Sequence, residues 1–286
     1  MSCIGFVVHH TREEAGALVR GLAVELAAEG HEVRLPLDDA ATIGLDGLGT
    51  ADAAFPDGLD VVVSVGGDGT MLRAVDLVAA KGTPVIGVNV GQLGYLTEVE
   101  PEAAGASIRR FLAGDHGIDE RMLLSVRVQR AGEPSATPAT LALNEAVLEK
   151  TPLGHTVRLV VELDGTFFTT YAADGLIVAT PTGSTAYAFS ARGPIVAPGH
   201  RALLLTPVSP HMLFDRTLVL EPATELRVTV QGHRPATLSV DGRNLGELRE
   251  GDSLSCSAAD VNARIVCFAR RDFHRILKAK FGLEDR

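Results

Sequence analysis

At 286 residues, with 46% hydrophobic and 22% charged residues, the chain has ordinary globular composition and the length of two domains, which excludes disorder and a disulfide scaffold. Its 26 Lys and Arg against 36 Asp and Glu give a net charge of −10, a balance that repels nucleic acid and anionic membrane surfaces, so neither is an expected partner. Tryptophan is absent and aromatics are only 5%, too few for base-stacking platforms.

The first third alternates strand-like and helix-like segments, the pattern of a parallel sheet covered by helices. Residues 4–8 read as a buried strand. Thr11 and Glu14 have capping-box spacing, and Leu18, Leu22 and Leu26 follow at helical spacing, which predicts a helix over 12–28 closed by Gly30. Strands follow over 32–36 and 60–65, the second with a β-branched run suited to burial on both faces. A helix over 71–81, a strand over 84–90 and a short helix over 101–114 with Pro101 in its first turn complete this part.

After about residue 118 the rhythm changes to strands and turns. Residues 122–129 and 140–148 read as strands joined by a Gly-, Pro-, Ser- and Ala-rich loop, 131–139. Residues 156–163 and 166–171 flank Asp164-Gly165, a two-residue hairpin turn. Further strands are predicted over 203–206, 218–220, 226–230, 237–240 and 263–268, making an antiparallel sheet domain. Phe273, Ile276, Leu277 and Phe281 share one face of a terminal helix that Gly282 ends. Such an isolated amphipathic helix needs a partner, and the first domain offers one.

Cys3, Cys256 and Cys267 are odd in number and lack CxxC spacing, so neither a disulfide framework nor a zinc site is encoded. With no signal-peptide pattern and no run of roughly 20 apolar residues, a cytoplasmic protein is expected.

Two glycine-rich segments follow strands of the first domain. Val63-Ser-Val-Gly-Gly-Asp-Gly-Thr70 runs from a strand to a helix start, the place where open α/β sheets bind ligands. It matches neither the GxxxxGK[ST] loop nor the dinucleotide GxGxxG. A carboxylate inside an anion cradle repels phosphate, so Asp68 has another job. It takes a proton from an attacking hydroxyl, helps hold a divalent cation, or merely caps the helix beginning near Thr70. The second loop, over 87–95, follows the next strand and is a crevice wall or a plain connection.

In the second domain Asn144 and Glu145 interrupt an apolar strand pattern; they pair with an adenine edge and ribose hydroxyls, or they face solvent. Residues 174–187 run from a strand into Thr-Pro-Thr-Gly-Ser-Thr and a helix start over 186–191, where hydroxyls and backbone amides converge on a nucleotide or form an ordinary capped turn. Loops of this kind in both domains point to an interdomain cleft. Arg73, His155 and Arg243 are individually weak signals. No serine-histidine-acid spacing supports hydrolysis, and no His and Cys cluster supports a transition metal.

Gly66-Gly-Asp-Gly-Thr70, Asn144-Glu145 and Thr180-Pro-Thr-Gly-Ser-Thr-Ala-Tyr187 together resemble the NAD kinase family, whose members phosphorylate the adenosine ribose 2′-hydroxyl of NAD to give NADP. The resemblance continues through residues 87–97, Gly193-Pro-Ile-Val196, Pro210-His211 and Asp241-Gly242. It implies an N-terminal Rossmann-like α/β domain, 1–118 with 271–286, and a C-terminal β-sandwich-like domain, 119–270, with the last helix returning to the first.

By the same resemblance Asp68 accepts the 2′-hydroxyl proton and Gly69 lies against the substrate. Asn144 and Glu145 hold adenine and ribose groups, Thr185, Ala186, Tyr187, Ala188, Phe189 and Ser190 line the rest of the dinucleotide site, and Asp174 lies near the nicotinamide end. Arg73, His155 and Arg243 occupy positions that contact NAD in relatives. Magnesium enters with the donor, and a homodimer or homotetramer is the implied assembly.

Two positions depart from the family pattern. Arg192 stands where many relatives have glycine, and Ala172, at the position associated with donor choice, is neither the glycine of polyphosphate users nor the polar residue of ATP users. ATP is the expected donor and inorganic polyphosphate the alternative. Competing expectations are a diacylglycerol- or sphingosine-type lipid kinase, which shares the GGDGT loop, and a non-catalytic dinucleotide sensor.

Overall fold

The structure is a computed structural model that describes residues 1–91, 94–151, 155–269 and 272–283. It forms two compact units, Met1–Glu120 with Ala263–Arg286, and Arg121–Asn262.

The first unit is built on strands β1 (Cys3–Val8), β2 (Glu32–Pro36), β3 (Gly49–Thr50), β4 (Val61–Gly66) and β5 (Val85–Asn89), all parallel in the order β5-β4-β1-β2-β3. β1, β4 and β5 are buried along their whole length, as Val- and Ile-rich runs must be when helices cover a parallel sheet. The covering helices are α1 (Glu13–Ala28), α2 (Leu37–Ile43), α3 (Asp68–Val78) and α4 (Ala104–Leu112). Ile4, Phe6, Val63, Val65 and Ile86 form the core with Val19, Leu22 and Leu26 of α1 and Ile108 of α4.

Three expectations change here. The capping box does not form: the N-cap of α1 is Arg12, without a side-chain cap, and Thr11 lies 3.4 Å from His9 Nδ1 through its hydroxyl. Helix α3 begins at Asp68 rather than at 71, so Asp68 is its first helical residue and Gly67 its N-cap. The short α2 and β3 went unread, since seven and two residues are too few to display a period.

The second unit contains β6 (Gly117–Gln129, entering from the first unit), β7 (Thr140–Ala142), β8 (Glu145–Lys150), β9 (Val157–Leu163), β10 (Thr166–Ala173) and β11 (Gly175–Ala179). It continues with α5 (Tyr187–Ser190), β12 (Leu203–Val208), β13 (Leu218–Leu220), β14 (Leu226–Gln231), β15 (Ala236–Val240), β16 (Arg243–Leu248) and β17 (Ser253–Cys267, returning to the first unit). One sheet is antiparallel in the order β13-β12-β11-β8-β15-β16. The other runs β10-β9-β14-β17, with β6 pairing β17 and β7. Leu148, Val178, Leu205 and Leu238 of the first sheet share a core with Leu159, Val161, Val228 and Leu254 of the second, which is sandwich packing.

The hairpin turn at Asp164-Gly165 has φ of 51° and 73°, the primed geometry its dipeptide prefers. Asp241-Gly242, at 47° and 79°, makes a second such hairpin between β15 and β16, a turn and a strand that sequence periodicity did not bring out. The single strand expected over 140–148 is broken at Leu143 and Asn144. β17 begins at Ser253, ten residues before the strand expected over 263–268, and its Ile265 pairs with Val85 of β5 in the first unit. The terminal helix α6 (Phe273–Phe281) ends at Gly282 with φ 60°, and its Lys280 ammonium lies 5.1 Å from the ring centre of Tyr95, also in the first unit. Among the described residues no helix is long and apolar enough to cross a membrane.

Candidate active site

In the first unit the chemistry gathers where β4 and β5 end. Gly66 is the last residue of β4, and a β-carbon there would overlap the Thr70 hydroxyl, so close packing of α3 on the strand requires glycine. Gly67 and Gly69 are different. A β-carbon at either meets nothing within 4 Å, so these two leave clearance in front of the first turn of α3.

The Asp68 carboxylate is half-buried and does not cap its helix. Its Oδ2 accepts the Tyr95 N–H at 2.8 Å and its Oδ1 accepts the Leu96 N–H at 3.0 Å. The second glycine-rich segment therefore holds the side chain made conspicuous by the first. Gln92 and Leu93 of this segment lie outside the described residues. Two more oxygens nearby in the chain, Asn89 Oδ1 and Thr97 Oγ1, are buried with no hydrogen-bond partner. Each amide occupies one lone pair of an Asp68 oxygen, which leaves the carboxylate able to accept a hydroxyl proton.

Arg73, on the same helix as Asp68, turns to the end of β1. Its guanidinium grips the fully buried Asp39 with both nitrogens, at 2.6 Å each, and donates to the Val8 carbonyl at 2.8 Å. Asp39 also accepts the Val8 N–H at 2.7 Å and pairs with His10 Nε2 at 2.8 Å. Desolvation, with Arg12, His10 and Arg73 around it, pushes the His9 pKa below its ordinary value.

In the second unit, the six-stranded sheet is apolar on both faces. Val147 of β8, Ile177 of β11 and Leu204 of β12 point away from the sandwich core and pack against Ala188 of α5. That contact lays the segment over 182–190 across the sheet. It begins as a 3-10 turn, Thr182–Thr185, and α5 is only four residues long, so the anion-binding helix start expected over 186–191 is one turn at most.

The Asn144-Glu145 pair sits at the break before β8. Asp241, in the β15–β16 turn, accepts the backbone N–H groups of Leu143, Asn144 and Glu145 at 2.7, 2.9 and 3.0 Å. The Asn144 carbonyl accepts the Thr180 N–H at 2.8 Å, and a β-carbon on Gly183 would overlap that carbonyl. Glu145 is 8% exposed, which overturns the solvent-facing reading for this residue. Burial, reinforced by the Asp241 charge and opposed by a Tyr187 backbone hydrogen bond, pushes its carboxyl pKa up to about 8. Its Oε2 is buried without a partner.

Tyr187 donates its hydroxyl to Glu149 at 2.6 Å, and Lys150 pairs with Asp174 at 2.7 Å. Register joins these groups, since Glu149 is opposite Gly175 and Glu145 opposite Ala179. Asn144 and Glu145 therefore lie at the Ala179 end of the β8–β11 pair and Asp174 at the Lys150 end, with Tyr187 bridging the two by its backbone to Glu145 and its hydroxyl to Glu149. Phe189 and Ser190 are exposed on α5, whereas Ala188 is 1% exposed and faces the core. Arg243 opens β16 next to the Asp241-Gly242 turn. Ala172 lies in β10 opposite Arg158, in the other sheet, where its carbonyl accepts the His211 N–H at 2.7 Å, and His155 is exposed just before β9.

Sequence reasoning missed Asp39, Glu149, Lys150 and the role of Asp241. Only the last had a local signal, the Asp-Gly dipeptide.

Comparison with known proteins follows the same division. The family pattern described as ATP-NAD kinase N-terminal domain matches residues 4–116, and the one described as ATP-NAD kinase C-terminal domain matches 143–268. The chain is 39% identical to the NAD kinase of Heliobacterium modesticaldum over 98% of both chains. It is 38% identical to that of Thermobifida fusca over 97% of this chain and 84% of the relative. Its fold is similar to that of yeast NADH kinase complexed with NADH, with TM-score 0.91 and 24% identity over 100% of this chain and 89% of the other. An NAD kinase from Archaeoglobus fulgidus in complex with ATP superposes with TM-score 0.72 and 24% identity over 99% of each chain.

Proposed function

The chain belongs to the NAD kinase family, and from that premise we propose that it transfers a phosphoryl group from ATP to the 2′-hydroxyl of the adenosine ribose of NAD, giving NADP. The observation that carries the reading is the Asp68 carboxylate, fixed by two backbone amides beside the clearance left by Gly67 and Gly69.

A sugar hydroxyl is too weak an acid to ionise at neutral pH, so its proton leaves as the new bond forms. Asp68 accepts that proton while the ribose oxygen bonds to the terminal phosphorus and the bond from that phosphorus to the bridging oxygen breaks, releasing ADP. Catalysis is then mostly positioning and charge neutralisation. In the second unit Asn144 and Glu145 hold adenine and ribose groups, and the unpartnered, buried Glu145 oxygen supports a hydroxyl donor there. Thr185 to Ser190 line the dinucleotide, and Asp174 serves its nicotinamide end.

Magnesium belongs to this reading as part of the donor, whose phosphates carry it, with Asp68 adding at most one carboxylate. A homodimer or homotetramer working in the cytoplasm, where Cys3, Cys256 and Cys267 stay free thiols, completes the proposal.

The test is purified protein with NAD or NADH crossed with ATP or polyphosphate, detecting the phosphorylated dinucleotide. Product with ATP is expected; none with any donor overturns the reading.

A further inference from the structure

Four non-glycine residues among those described have positive φ: Asp164, Arg192, Ser209 and Asp241. Two of them, Asp164 and Asp241, are the aspartates of Asp-Gly hairpins, where that conformation is ordinary. The other two, Arg192 at 68° and Ser209 at 45°, line the same cavity of about 730 Å³ in the second unit.

Arg192 reaches its φ through a helix-ending motif. The Gly193 N–H donates to the Ala188 carbonyl at 2.8 Å and the Arg192 N–H to the Phe189 carbonyl at 2.9 Å, the two bonds that close a helix over a left-handed residue. Glycine is the residue this position favours, because a β-carbon is strained there. The chain puts its longest cation in that place instead. Arg192 is exposed and its guanidinium makes no hydrogen bond or ion pair among the described residues, so no side-chain contact compensates for the strain. Strain without local compensation is a mark of functional sites.

The cavity wall also contains Tyr187 and Ser190, from the segment read above as lining the dinucleotide, and Arg216, whose nearest acid is Asp215 at 3.5 Å. We propose that this cavity is a phosphate subsite of the dinucleotide, in which the Arg192 guanidinium binds a phosphate group of the ligand. Arginine suits the task because its planar fork gives paired donors to phosphate oxygens. The inference rests on the proposed dinucleotide function and adds to it the residue that recognises the ligand's charge.

The test compares wild-type protein with Arg192→Gly and Arg192→Lys, measuring melting temperature and the affinities for NAD, NADP and adenosine by calorimetry. Arg192→Gly is expected to melt a few degrees higher, because the strain is relieved, yet to bind dinucleotide about tenfold more weakly. Arg192→Lys keeps part of that affinity, and adenosine, which has no phosphate, binds all three proteins alike. Equal weakening for NAD and NADP assigns the contact to the bridging diphosphate, and weakening for NADP alone assigns it to the 2′-phosphate. A stabilised Arg192→Gly protein that binds both dinucleotides as tightly as wild type overturns the inference. Wild-type protein that binds neither dinucleotide overturns the proposed function itself.

Discussion

Gly94 and Asp68 are so closely opposed that a β-carbon at 94 would overlap the carboxylate oxygen Oδ1. The glycine is therefore part of what fixes the proposed base, together with the amides of Tyr95 and Leu96. Gly94→Ala must displace the carboxylate, and small displacements of a reacting group are costly, so kcat is expected to fall about 10²-fold with the KM for NAD little changed. Asp68→Asn keeps the shape and one acceptor but removes the proton sink, and its kcat should fall about 10²- to 10⁴-fold while NAD still binds. Steady-state kinetics with binding measured separately decides this, and wild-type turnover in Asp68→Asn would remove the base from the mechanism.

Arg73 and Asp39 make the opposite kind of pair, one that holds the fold. Asp39 is fully buried and Arg73 satisfies both of its oxygens from the adjacent helix. Removing Arg73 leaves a buried carboxylate with only the Val8 N–H and His10 as partners, at a cost of about 3 kcal/mol or more. Arg73→Met should thus lower the urea midpoint strongly, with the KM for NAD of the remaining folded enzyme unaltered. A raised KM at full stability would instead make Arg73 a substrate contact.

Gly183 and Asn144 show how the two halves of the second unit's site depend on each other. The Asn144 carbonyl occupies the volume a side chain at 183 would need, and the obstacle is backbone, which cannot rotate away. Gly183→Ala is expected to cost about 1 to 3 kcal/mol as overpacking. Because Asn144 moves with its carbonyl, NAD affinity should fall as well. Chemical denaturation and calorimetry on the same preparation check both effects, and a stable variant with native affinity would contradict this placement.

These pairs also mark what was legible in the sequence. The longer parallel strands of the first unit and the hairpin at Asp164-Gly165 were readable because burial on two faces and a primed turn leave local signatures, the β-branched run of β4 and the Asp-Gly dipeptide. The prominence of Asp68 was readable for the same reason, an acid among glycines. Its partners were not, because Tyr95 and Leu96 contribute only backbone, and any residue type has an N–H to donate. Asp39 lay in a helix too short to show a period, and its meaning depends on Arg73, 34 residues away. The break at Leu143 and Asn144 was hidden too, since the group that ends the strand is the Asp241 carboxylate, brought there by another hairpin.

Glu145 gives the pH dependence. Its folded-state pKa of about 8 lies above the ordinary carboxylate value of 4.5, with desolvation the leading cause and the Asp241 charge next. A raised acid binds its proton more tightly in the native state than in the unfolded chain, so stability falls as pH rises between these two values and levels off above the higher one. At roughly 1.4 kcal/mol per unit, the whole window is worth several kcal/mol. Glu145→Gln lacks this titration, so it should show a flatter stability profile from about pH 5 to 8 and be more stable than wild type at the alkaline end. Urea denaturation across that range measures the difference. Parallel profiles for the two proteins would mean that the Glu145 carboxyl titrates alike in the folded and unfolded chain, and its unpartnered oxygen would no longer mark a site waiting for a hydroxyl donor.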